Sequence, residues 1–302
     1  MDNLTHTLVG VLLGRAGLKR STGRATAALV IASNLPDSDS FVARLFGAEP
    51  IAVHRGFTHG VGGWLTLPFV TLALILLLDR FRPSKEPVRP WVVLLVAAIA
   101  TLAHSLLDLF TTYGTRIFEP LSHQWFYTGT WFIVDPWVWI ALILGLEFSW
   151  RAERLGGNWN KPAIAAFAAL FVYAAFNVGI TQRVEAAARH HLAAARPTLV
   201  TAGPQPILFW RRSILWRNSK VHGFGSFDLV GGLQIDRASR PNRLDDPRLA
   251  RAMRTSPHVR AFMFWSRMPV VVERNGRAFL TDQRFSRGPM SRGGGPFLIP
   301  LG

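Results

Sequence analysis

GVGGWLTLPFVTLALILLL, residues Gly60 to Leu78, runs for nineteen positions without a charged side chain. About 20 apolar residues of helix cross the roughly 30 Å hydrocarbon core of a bilayer, so the stretch reads as a membrane helix. Directly before it stands HRGFTHG, His54 to Gly60, which sets two imidazoles and a guanidinium at the mouth of an apolar span. Two further segments have the same length and character, Pro90 to about Tyr113 and Pro162 to Gln182, and a fourth, Trp131 to Trp150, differs only by Asp135 and Glu147. Two shorter helices, Asn3 to Leu18 and Gly23 to Leu35, precede them.

The composition agrees. Of 302 residues, 49% are hydrophobic and only 17% charged, an unusual combination for a soluble protein of this size. No cysteine is present, which removes disulfides, thiolate nucleophiles and cysteine-bound zinc together. Any metal must sit on His, Asp or Glu. The formal net charge of +16 would suit nucleic acid in a soluble chain. In a membrane protein it suits basic cytoplasmic loops and anionic headgroups instead. The N-terminus lacks a basic leader and is read as retained structure.

Basic residues orient the helices. Arg15, Lys19, Arg20 and Arg24, then Arg80, Arg82, Lys85 and Arg89, then Arg151, Arg154 and Lys161 occupy three loops that the positive-inside rule makes cytoplasmic. The N-terminus, residues 36–59, residues 114–130 and the chain from about residue 183 onward then lie on the outer side. After Pro197 the character changes: 17 basic residues stand against 6 acidic, and PILFWRRSILW reads as strand. VVVERNGRAFLTD carries Asn275-Gly276 between alternating segments, a type I′ hairpin signal. The expected fold class is an α-helical polytopic membrane bundle of about four long and two short helices, followed by a small β-rich C-terminal domain. The domains are 1–196, helical and membrane-bound, and 197–302, basic and extramembrane, with Arg189 to Arg196 as the helical linker between them.

The ionisable residues inside this frame carry the chemistry. His104 and Asp108, in HSLLD, are four apart and share one helical face within an otherwise apolar helix. Such a pair is either a functional site or a hydrogen bond that joins helices. Asp2 and His6 repeat the spacing, where Asp2 can also cap a helix. NLPDSD ends a helix and places Asp37 and Asp39 in a turn. In HRGFTHG, His54 and His59 are five apart, so only a bent backbone converges them. Arg55 adds a fork suited to phosphate or carboxylate, or else all three anchor a helix end at the headgroups. On the derived topology Asp2, His6, Asp37, Asp39, His54, His59, His104, Asp108 and Asp135 all fall within about two or three helical turns of one membrane face. Imidazole with bridging carboxylate is ligand chemistry for zinc, manganese or iron, and this number of ligands admits one or two ions. Thr111, Tyr113 and His123 are candidate oxyanion donors. Asp135 is a ligand, an outer carboxylate, a general base or a helix cap.

THTLVG, LPDSD, HRGFTHG before a long apolar helix, HSLLD, TYGT and VDP, in that order over about the first 140 residues, resemble the family of LexA-binding inner-membrane metal-dependent hydrolases. Gly60 stands where that pattern has serine. The order His, Asp, His and then HxxxD is also distantly similar to zinc-dependent phospholipase C and the related fungal single-strand nucleases, although a second HxxxE or HxxxD is not evident. The resemblance implies His6, Asp37, His59, His104 and Asp108 as metal ligands, with Asp39 and His54 in or beside them. It implies zinc first among the metals and a bacterial inner membrane as the location. The expected function is a membrane-bound metal-dependent hydrolase cleaving a phosphoester of a lipid or lipid-linked substrate at the outer surface, with Arg55 and Asp135 as catalytic residues. An ion-coupled transporter, or a tethered nucleic-acid or regulator-binding protein, is the alternative; nucleic acid is not the expected partner.

Overall fold

A computed structural model describes residues 1–286 and 297–302. Eight helices come first: α1 (Asn3–Arg15), α2 (Ala25–Asn34), α3 (Asp39–Leu45), α4 (Pro50–Val53), α5 (Val61–Phe81), α6 (Pro90–Leu109), α7 (Pro136–Arg154) and α8 (Asn160–His191). Strands β1 (Leu199–Pro204), β2 (Arg212–Arg217), β3 (Val221–Asp228), β4 (Gly232–Ile235) and β5 (Arg240–Pro241) follow. Helices α9 (Pro247–Thr255) and α10 (Pro257–Trp265) and strands β6 (Pro269–Arg274), β7 (Arg277–Asp282) and β8 (Ile299–Pro300) complete the chain. Two compact units emerge: Met1–Val42 with His54–Gly179 and Pro204–Phe209, and Ala43–Val53 with Ile180–Gly203 and Trp210–Gly302.

Three helices, α5, α6 and α8, are long and apolar enough to cross a membrane, with mean hydropathy of 2.2, 2.2 and 2.1. The fourth expected long span is shorter than the sequence suggested. Asp135 caps α7 through the amides of Trp137 and Val138, so the helix begins only at Pro136. Its last turns carry Glu147, Arg151, Glu153 and Arg154, which confine the apolar part to its beginning. On the three apolar helices the outward faces are themselves apolar: Leu65 and Phe69 on α5, Trp91 and Leu95 on α6, and Phe171, at 76% exposure, on α8. Water penalises such surface and hydrocarbon does not.

The inward stripe of α6 explains how helical spacing builds a site. Val93, Val96, Ala97, Ala100, Thr101, His104, Ser105 and Asp108 are its buried positions, recurring at three and four residues. Its first half packs against Ala28, Leu29 and Ala32 of α2 and Ile75 of α5. Its last turns carry His104 and Asp108 on the same stripe. Helices α1, α7 and α8 form a second core from Val9, Leu12, Val138, Leu142, Ala163, Ala166 and Leu170. Gly10 lets α1 and α2 touch, because a Cβ there would meet Ser33 Oγ at 2.8 Å and Leu29 O at 3.0 Å.

In the second unit a sheet of order β1-β2-β3-β4, with β5 on β3 and antiparallel from β2 onward, packs Val200, Ile214 and Trp216 against Ile180, Val184 and Ala188 of α8. The Asn275-Gly276 hairpin forms as expected: β6 and β7 pair in register, with positive φ of 49° and 73° at the two turn residues. This unit is not β alone. Helices α9 and α10 lie between its two sheets in sequence, each opened by an acceptor-Pro pair, Asp246-Pro247 and Ser256-Pro257.

Candidate metal centre

Five chain segments converge in the first unit. Helix α1 supplies His6, a 3₁₀ turn after α2 supplies Asp37, the start of α3 supplies Asp39, the segment 54–59 supplies His54, Arg55 and His59, and α6 supplies His104 and Asp108. His6, His59, His104 and Asp108 are all buried to within 1%. Ligand atoms of Asp37, His59, His104 and Asp108 lie within 4.8 Å of one another, and so do those of Asp39, His54 and His59. Either set could hold a metal ion.

Hydrogen bonds assign the protons. His104 Nδ1 lies 2.7 Å from the carbonyl oxygen of Ser33, so it must donate, and its Nε2 keeps a lone pair. Thr58 Oγ1 donates to Asp39 Oδ2 at 2.8 Å and lies 3.0 Å from His59 Nδ1, so the hydroxyl accepts from that nitrogen. His59 Nε2 therefore also bears a lone pair. The two Nε2 atoms face each other at 3.1 Å with no proton available to either. Asp37 Oδ1 lies 3.3 Å and Asp108 Oδ2 3.2 Å from His59 Nε2, and the same oxygens lie 3.6 and 3.7 Å from His104 Nε2. A divalent ion held tetrahedrally at about 2.0–2.1 Å from four donors sets those donors about 3.3–3.4 Å apart.

Orphaned atoms point the same way. Both ring nitrogens of His6 and Oδ2 of Asp108 are buried without a hydrogen-bond partner. Each such orphan costs about 1–3 kcal/mol unless a ligand satisfies it. His6 stacks on His104 at 3.7 Å between ring centres, with Nε2 3.5 Å from Asp108 Oδ1, which the α-amino group of Met1 also contacts. The residues present fit a divalent metal by donor type, spacing and unsatisfied atoms.

The surrounding groups hold this arrangement. Asp39 accepts from Thr58 Oγ1 and, at 3.2 Å, from the Arg55 amide, and its Oδ1 lies 2.8 Å from His54 Nδ1. Burial would raise its pKa, but these imidazole contacts hold it well below the usual carboxylate range, and Asp37 behaves likewise between His104 and His59. Burial lowers His54, and Asp39 partly offsets this. Arg55 takes a positive φ of 60°, rare outside glycine, with its carbonyl accepting from the Arg116 amide. Its guanidinium donates to Asp108 Oδ1 at 3.0 Å and Thr111 Oγ1 at 2.6 Å, and burial lowers its pKa to about 10, still cationic at neutral pH.

All seven expected ligands, His6, Asp37, Asp39, His54, His59, His104 and Asp108, meet here. Arg55 meets them too, but buried at 3% exposure and paired with Asp108, where an open fork for substrate was expected. Asp135 does not join either His/Asp group: it caps α7 and accepts from Tyr173 Oη at 2.9 Å. Asp2 caps α1 through the Thr5 amide. Thr111 spends its proton on the Asp108 carbonyl, Tyr113 lies under Arg55, and His123 pairs with Glu119 at the surface. Sequence reasoning missed Thr58 and the Ser33 carbonyl. Thr58 directly precedes a candidate ligand, which was a usable signal; a backbone carbonyl gives none.

No solved structure matches the chain. It is 31% identical over 160 residues to a Bacillus subtilis (strain 168) protein named "Uncharacterized protein YfhP", an alignment covering 50% of this chain and 47% of that protein. The chain thus spans about half the length of the curated relative it matches. The family model described as YdjM inner membrane protein matches residues 1–184, the region that contains every residue of the His/Asp cluster. A helical membrane-associated region with this cluster at one end of its helices, matched over that whole length, makes the chain a member of the YdjM inner membrane protein family.

Proposed function

We propose that the chain is a multi-pass membrane hydrolase that cleaves a phosphoester of a lipid or lipid-linked substrate, using one divalent metal, with zinc the best match to the donors. The observation that carries the reading is the pair of facing Nε2 lone pairs 3.1 Å apart, bracketed by two carboxylates. Asp37, His59, His104 and Asp108 would hold the ion, with His6 beside Asp108. A divalent metal bound there supplies Lewis acidity, making a water acidic and polarising a phosphoryl oxygen.

The protein residues keep the site ready for that chemistry. Thr58 and the Ser33 carbonyl retain the protons on His59 Nδ1 and His104 Nδ1, leaving both Nε2 atoms as donors to metal. Asp39, already taking three contacts, serves to orient His59 and His54 in preference to binding a second ion. Arg55 fixes Asp108 and offsets its charge. Positive-inside loops support an outer location for the cluster, level with headgroups. Phe41 and Phe57, exposed near Asp39 and His59 in sequence, suit such an interface.

The test is metal content of the purified chain together with phosphate or headgroup release from mixed-lipid vesicles. Bound divalent metal and release that His104→Ala abolishes are expected. Protein that binds no divalent metal, or His104→Ala with full activity, sinks the reading.

A further inference from the structure

At the opposite end of α6 the two loops before α2 and α6 line a half-open cavity of about 560 Å³. Its lining includes five basic side chains, Lys19, Arg20, Arg24, Lys85 and Arg89, and one acidic one, Glu86. The walls are built, not incidental. The Gly23 amide donates to Pro87 O at 3.0 Å, and the Arg89 amide donates to Thr22 Oγ1 at 2.7 Å. Gly23 is pressed so closely on the other loop that a Cβ would stand 2.2 Å from Glu86 O.

The cations divide into two kinds. Lys19 and Arg20 share Glu153, and Arg24 pairs with Asp79. Lys85 and Arg89 have no ion-pair partner among the described residues, and Glu86 pairs with neither. With the other three cations already paired, Lys85 and Arg89 are the two whose charge an incoming anion would balance. From Arg89 to Asp108 the helix rises about 28 Å at about 1.5 Å per residue, so the cavity lies a bilayer core away from the metal centre and cannot serve it.

We propose that this cavity is a separate binding site for a phosphate ester, the headgroup of an anionic phospholipid in the leaflet opposite the metal centre. Lys85 and Arg89 make the direct contacts. Arg24 and Lys19, tied to their own carboxylates, shape the rim. A basic cavity in the loops that precede membrane helices is suited to an anionic headgroup because the phosphate balances Lys85 and Arg89 while the acyl chains run along the apolar helix faces.

The full chain is extracted with phosphatidylglycerol and phosphatidylcholine present together, and retained lipid is counted by native mass spectrometry. One phosphatidylglycerol per chain is expected, falling about thirtyfold in affinity in Lys85→Gln/Arg89→Gln and holding in Arg80→Gln/Arg82→Gln, a pair of equal charge change outside the cavity. Equal retention of phosphatidylcholine, or equal loss in both double variants, overturns the site. Far-ultraviolet circular dichroism and the size-exclusion profile of the same samples report that each variant has folded and stay unchanged. Added glycerol phosphate separates the two sources: displacement at concentrations comparable to the lipid means a soluble ester is the natural occupant of the site, and resistance means the lipid is.

Discussion

Two buried carboxylates, Asp108 in the first unit and Asp282 in the second, look alike by exposure and differ in what surrounds them. Asp282 accepts from Ser266 Oγ at 2.6 Å, from the Met268 amide at 3.0 Å, and from the amide, Nε and an Nη of Arg284 at 2.8–2.9 Å. Nothing there is left over. Asp108 keeps one oxygen without a hydrogen bond, beside an imidazole with two orphaned nitrogens and two more whose lone pairs collide. Asp108 has two cations on its other oxygen, Arg55 and the Met1 amino group, so neither burial nor missing counter-charge marks the site; hydrogen-bonding atoms left without a proton between them do.

The largest expected effect tests that deficit. Asp108→Asn removes an anionic ligand, and because zinc binding of about 10–16 kcal/mol is shared among four donors, about 2.5–4 kcal/mol each, affinity should fall about a hundred- to a thousandfold. Competition with a chelating dye measures it; unchanged affinity would erase the distinction between the two carboxylates.

Asp282→Asn should instead leave metal affinity untouched and destabilise the second unit by about 3–5 kcal/mol, since it strands the Arg284 guanidinium in a buried place. Tryptophan fluorescence during urea unfolding, with Trp265 beside Arg284, reads it. The same carboxylate has an acid signature. Burial would raise its pKa, yet Arg284, Ser266 and the Met268 amide hold it below the usual range. Its contribution is thus complete above the unfolded value of about 3.9 and is lost as pH falls through the folded value. In Asp282→Asn this part of the acid sensitivity should vanish.

The smallest effect sharpens the proton assignments. Thr58→Val deletes the hydroxyl that accepts from His59 Nδ1 and should weaken metal binding about 10–100-fold without removing a ligand. Binding as tight as in the unaltered chain would mean that Asp39 alone fixes the ring.

Residue spacing made much of this legible. HSLLD could only place His104 and Asp108 on one face, and the buried stripe of α6 ends on them. The inward course of Arg55 was not legible because it depends on the residue's own positive φ, which no propensity announces. Of the four roles open to Asp135, the structure shows the helix cap, with Pro136 following it at the first helical position, and places it in neither His/Asp group. The same acceptor-Pro signal opens α9 and α10, which stand among strand-like runs that read as β throughout. Spans followed from apolar length, except where charges late in α7 shortened one.

Gly60 has an evolutionary consequence. A Cβ at this position would meet Arg116 O at 2.7 Å and Glu119 O at 2.9 Å, while the Gly62 amide donates to that same Glu119 oxygen. The position is sterically closed to every other amino acid as long as residues 116–119 lie where they do. A lineage that carries serine there must have moved that loop outward in step with the substitution, so the two changes are bound to travel together rather than singly.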